Sequence, residues 1–127
     1  MPSRYQAAAC LADIVENIER VDGYLAGLDR EAFAADLLRR DAVERCLERI
    51  CEAAIRLADR AAELAPNQPW RDIRGMGNQL RHAYDRINFD ILWYTIRDRL
   101  PSLKTDAQQA LRDLEVTDDT DHGGIAP

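Results

Sequence analysis

Three features of this 127-residue chain predict an all-α fold, an antiparallel up-and-down bundle of about five helices. Apolar residues recur every three or four positions through most of its length, as one buried face of a helix requires. No segment alternates apolar and polar residues as a half-buried strand does, and no hairpin signal occurs. The breaks between periodic segments are short, which favours antiparallel neighbours. Nothing repeats internally, so a solenoid is excluded.

The first helix runs from Arg4 to Leu25, with Ala7, Leu11, Ile14, Val15, Ile18, Val21 and Leu25 on one face and Gly27 as its stop. Asp29 can cap a short helix over "REAFAAD", which offers Phe33 to the core. From Leu38 to Ala65 a seam of Val43, Cys46, Leu47, Ile50, Ala54, Leu57, Ala61 and Leu64 predicts one long helix of about 40 Å at a rise of about 1.5 Å per residue. The run "PNQP" ends it. A fourth helix is expected from Pro69 or Trp70 to Asp85, and a fifth from Phe89 to Arg99. Pro101 sits where a last helix over "SLKTDAQQALRDLE" can begin. Residues 1–115 thus form one helical domain, and the acidic, Gly- and Pro-containing tail 116–127 is expected to be disordered.

A hydrophobic fraction of 46% with 31% charged residues is that of a soluble globular protein, and no apolar run suffices to span a bilayer. Asp13, Glu16 and Glu19 interrupt the N-terminal segment, which therefore does not read as a signal peptide; cytoplasmic residence is expected. Cys10, Cys46 and Cys51 lie inside helical patterns without a CxxC pair and are expected to be reduced core residues. With two distant histidines, no zinc site is expected and no cofactor is called for.

The net charge of −6 argues against nucleic acid, but its distribution does not. Between Trp70 and Arg99 six arginines (Arg71, Arg74, Arg81, Arg86, Arg97, Arg99) face four acids (Asp72, Asp85, Asp90, Asp98). Arginine suits bidentate phosphate contacts, which makes Arg71 and Arg86 candidate nucleic-acid contacts; a chain with Lys104 as its one lysine is equally what a GC-rich genome produces.

Within the fourth helix, Ile73, Met76, Leu80, Ala83, Tyr84 and Ile87 share the core stripe, at 100° per residue. Arg74, Asn78, Arg81, His82 and Asp85 share the neighbouring one, with Arg74, Asn78 and His82 at i, i+4 and i+8. Gly77 projects onto the boundary, where a missing side chain lets a backbone, a partner helix or a phosphate come close. The same array also fits an ordinary solvated face with a surface histidine.

The stretch "WRDIRGMGNQLRHAYDRINFDILWYTIRDRLPSL" resembles the signature helix and following helix of the HepT-like branch of the HEPN superfamily, formerly a domain of unknown function. The family's order is R-N-x-L-x-H-x-Y; Asn78, Leu80, His82 and Tyr84 match it, led by "PW" and followed by a helix carrying Trp93. The likeness extends over "LDREAFAADLLRRDAVERCLERICEAA" and so covers most of residues 4–115. One position departs: Gly77 stands where the family has its arginine, which is taken to hold the scissile phosphate. Arg81 and Arg74 are available to replace it.

The resemblance implies the toxin of a type VII-like pair, a metal-independent endoribonuclease working as a homodimer and silenced by a minimal nucleotidyltransferase of the MNT type. In that reading His82 does acid/base work, Arg81 and Arg74 stabilise the phosphate and Asn78 orients His82 or the phosphate by hydrogen bonding. Tyr84 is either a boundary aromatic of the core stripe or, as the resemblance implies, the site of AMP attachment. His122, in the tail, is expected to be uninvolved. The alternative is a catalytically inactive module that binds RNA, a nucleotide or the nucleotidyltransferase.

Overall fold

The computed structural model describes the backbone of residues 2–81 and 86–125, and the side chains of residues 2–80 and 89–116. Its elements are α1 (Arg4–Leu25), α2 (Arg30–Ala35), α3 (Leu37–Leu57), α4 (Arg60–Leu64), α5 (Trp70–Arg81), α6 (Arg86–Tyr94), a π-helical turn (Thr95–Arg99) and α7 (Leu100–Ile125). Strands are absent among the described residues, and the all-α expectation holds.

Helix α1 begins with a capping box: the Ser3 hydroxyl accepts from the Gln6 N–H at 3.1 Å, and the Gln6 side chain accepts from the Ser3 N–H at 2.7 Å. It ends where Ala26 (φ 47°) and Gly27 (φ 78°) turn left-handed. Asp29 caps α2 as its sequence position predicts, accepting from the Ala32 N–H at 2.8 Å. Asp36 caps α3 through the Arg39 N–H, and that bond with the adjacent Arg39 side chain holds its carboxyl below the usual range.

The central layer is α3, with α1 packed along it and α5 beside it; α7 returns against α1. The core interleaves Leu11, Ile14, Ile18 and Val21 of α1 with Val43, Cys46, Leu47, Ile50 and Leu57 of α3 and Leu103, Ala107, Ala110 and Leu114 of α7. Cys10, Cys46 and Cys51 are free and buried, and burial pushes the thiols of Cys10 and Cys46 up, which disfavours thiolate chemistry.

Three boundaries differ from the prediction. The long helix expected from Leu38 to Ala65 stops at Leu57: Ala58 takes φ 51° and ψ −132°, and α4 restarts at Arg60. Neither glycine nor proline marks this break, and the positive φ runs against alanine's intrinsic preference. The helix expected to end at Arg99 instead runs without interruption into α7. There the Leu100 N–H reaches the Thr95 carbonyl, five residues back. This wider turn sits immediately before Pro101, whose missing N–H and bulky ring cannot join the ordinary i−4 ladder. Helix α7 also carries past Glu115 to Ile125, into the segment where a tail was expected.

Candidate functional site

Helix α5 is anchored at its amino end. Trp70 is buried and donates its indole N–H to the Ala65 carbonyl at 2.8 Å, which pins the "PW" start against the end of α4. The Ile73 N–H bonds the Pro69 carbonyl at 3.0 Å, and Ile73 and Met76 fill the core side. The Cys51 thiol of α3 donates to the Arg74 carbonyl at 2.9 Å, tying the middle of α5 to the central helix.

This seating divides α5 into flanks. Arg74 is half-buried and Asn78 exposed, one turn apart on the same side as predicted, while Arg71 is exposed nearer the amino end. The guanidinium groups of Arg71 and Arg74 have no ion pair among the described residues. The Arg81, His82, Tyr84 and Arg86 side chains lie outside the described residues, so of the predicted site residues the structure describes the side chains of Arg71, Arg74 and Asn78. Gly77 is buried, as a position closely approached by other parts of the chain would be. At Gly75, two positions earlier on α5, an added Cβ meets nothing within 4 Å.

The opposite flank of α5 borders a groove of about 550 Å³ against α6, the π turn and α7. Gln68 closes one end by donating to Ser102 Oγ at 3.0 Å and Asp106 Oδ2 at 2.7 Å. Along its wall Arg99 pairs with Asp72 at 3.5 Å and lies 5.7 Å from the Tyr94 ring.

Two of the six arginines that make this segment positive therefore have structural partners. Arg99 has Asp72 and Tyr94; Arg97 lies 5.6 Å from the Trp93 ring. Trp93 belongs to an aromatic cluster in which Phe33 sits 5.8 Å from both Phe89 and Trp93. Arg30 and Arg40 approach the Phe89 ring at 5.2 and 5.1 Å, and Arg30 also pairs with Asp90. Sequence reasoning offers Phe33 to the core but gives no sign of this cluster, because Phe33 lies on α2, far along the chain from Phe89 and Trp93 on α6. Among the described residues there is no group of His, Cys, Asp and Glu able to hold a metal, and no helix long and apolar enough to cross a membrane.

The profile of the family described as "Ribonuclease HepT-like" matches residues 14–110. A Thermococcus cleftensis protein named "Probable ribonuclease HepT" is 36% identical over 94 residues, covering 74% of this chain and 86% of its own. A Methanocaldococcus jannaschii protein named provisionally as an RNase is 30% identical over 115 residues, covering 91% and 98%. A third, from Caldanaerobacter subterraneus and named in the same way, is 31% identical over 102 residues, covering 80% and 91%. No solved structure matches the chain.

Proposed function

Since the chain belongs to the HepT-like ribonuclease family, we propose that it is a metal-independent endoribonuclease, the toxin of a pair whose antitoxin is an MNT-type minimal nucleotidyltransferase. The observation that carries this is the family match across residues 14–110, which spans Asn78, His82 and Tyr84 in the family's order.

Cleavage without metal makes one bond and breaks another. The ribose 2′-oxygen bonds to the adjacent phosphorus as its proton leaves, and the 5′-oxygen departs and takes up a proton. His82 supplies the imidazole of the signature, the side-chain type suited to exchanging a proton near neutral pH, and takes the first proton. Arg81 and Arg74 stabilise the charge that builds on the phosphate, and Asn78 orients it or the imidazole by hydrogen bonding. Arg71 and Arg86 extend the cationic track along the strand. Pairing of two copies through their signature helices doubles the cationic charge in an otherwise acidic chain. A nucleotide attached to Tyr84 would set an anion beside these cations and shut out the RNA phosphate.

The test is incubation of the purified protein with total RNA in EDTA, beside His82→Ala and Arg81→Ala. Cleavage by the wild type that both substitutions abolish supports the assignment. With the antitoxin and ATP, Tyr84→Phe should still cleave and should no longer be labelled; persistent labelling sinks the modification site. A second reading is favoured by Gly77, buried where the family carries its phosphate-holding arginine. In that reading the chain is an inactive module, and the wild type leaves RNA intact while retaining its nucleotidyltransferase partner.

A further inference from the structure

The groove between α5 and the continuous α6–α7 helix has no role in the cleavage chemistry above. We propose that it is a base-recognition subsite that takes a guanine of the RNA strand, stacked on Tyr94 and read by the Asp98 carboxylate; this rests on the ribonuclease reading only for the identity of the strand.

Size and lining come first. The groove holds about 550 Å³ and has an apolar floor that includes Met76 and Leu103, both almost fully buried. That is within the range of small-molecule sites, in which apolar walls carry a few oriented polar groups. Tyr94 stands on its wall 53% exposed, so part of its ring faces solvent from the groove. The Asp72–Arg99 pair beside it lends the ring a fixed cationic neighbour and leaves the rest of its surface open. An exposed, propped aromatic ring is the platform on which single-stranded bases stack.

The polar rim then selects the base. Asp72 is taken up by Arg99, and Asp106 by Gln68. Asp98 is exposed on the groove and has no ion pair or hydrogen bond among the described residues, and the Gln79 amide on α5 is likewise unengaged. An ionised carboxylate is acceptor-only, with two oxygens side by side. Among the four RNA bases, guanine alone presents two adjacent donors, N1–H and N2–H, on its Watson–Crick edge. Adenine and cytosine set a donor beside an acceptor, and uracil sets one donor between two acceptors, so each would turn a lone pair toward Asp98. Gln79 supplies the amide donor suited to guanine O6.

The placement joins the two flanks of α5. Gln79 belongs to the groove and Asn78, its neighbour, to the cationic flank, so a strand crossing the carboxyl-terminal turn of α5 would set a phosphate on one side and a base on the other. The net negative charge of the groove accords with this division, because the groove binds a base edge and leaves phosphate to Arg74 and its neighbours.

The test uses the full chain and four fluorescent 2′-O-methyl tetranucleotides that differ in one central base, titrated in EDTA and read by anisotropy. Because 2′-O-methyl strands cannot be cut, binding is read whether or not the protein is a nuclease. The guanine strand should bind about ten-fold more tightly than the others. Asp98→Asn should erase that preference, Tyr94→Ala should weaken the guanine strand by about ten-fold, and Tyr94→Phe should retain it. Equal affinity for all four strands, or a guanine preference that survives Asp98→Asn, overturns the proposal. So does a Tyr94→Ala protein that dissociates in sedimentation while binding RNA as before, which would make the groove an interface between copies. Guanine-selective binding by a protein that leaves total RNA intact upholds the subsite and removes the nuclease reading.

Discussion

Helices α1 and α5 both lie against α3, yet they are held there in different ways. Over 22 residues α1 buries a complete face, from Ala7 through Leu25, and is capped at both ends. Over 12 residues α5 is secured by Trp70, Ile73 and Met76 in its first turns and then presents Asn78 and Gln79 to solvent. Its contact with α6 is slight beside its contact with α3. The difference separates two tasks. A helix that carries stability spends its surface on packing, whereas α5, which the proposed function makes the carrier of chemistry, is fastened at its amino end and exposes Asn78 and Gln79 further along.

The sharpest way to probe that separation is His82→Ala, which should lower RNA cleavage by about 10²- to 10⁴-fold, as loss of a general acid/base does, with an unchanged melting temperature. A large drop in melting temperature would mean that α5 carries stability after all. Leu47→Ala, at the centre of the α1–α3 core, should do the reverse. It should destabilise the fold by about 2–5 kcal/mol in denaturant titration while leaving cleavage per folded molecule intact.

Smaller effects refine the picture. Ala58→Gly relieves the left-handed backbone between α3 and α4 and should stabilise by about 1 kcal/mol; a loss would show that the break is not strained. Gly75→Ala adds a methyl group where nothing lies within 4 Å and should stabilise α5 by about 0.5–1 kcal/mol. If cleavage falls as stability rises, the glycine is there for RNA or a second copy to approach; if both are retained, it has no such role.

Most of the fold was legible because its signals are local. The period of α1, the Asp29 cap on α2 and the Pro–Trp start of α5 each depend on residues within a turn or two of one another. The site was legible in part. The order Asn78, Leu80, His82, Tyr84 carries the family resemblance, and the shared flank of Arg74 and Asn78 follows from helical spacing. Spacing placed Gly77 at the boundary of two stripes, and its burial depends on what packs over it.

The amino-acid sequence by itself determined the all-α class, the faces of its helices and the family, because periodicity, caps and motif order are properties of the chain taken a few residues at a time. Tertiary structure alone decided the turn at Ala58, the cluster of Phe33, Phe89 and Trp93 with its arginines, and the groove beside Tyr94. It also decided which arginines stay open: Arg97 and Arg99 acquired aromatic and acidic partners, while Arg71 and Arg74 formed no ion pair among the described residues. These depend on side chains brought together from distant segments, whose contact energies arise after the helices have packed and leave no trace in any local pattern.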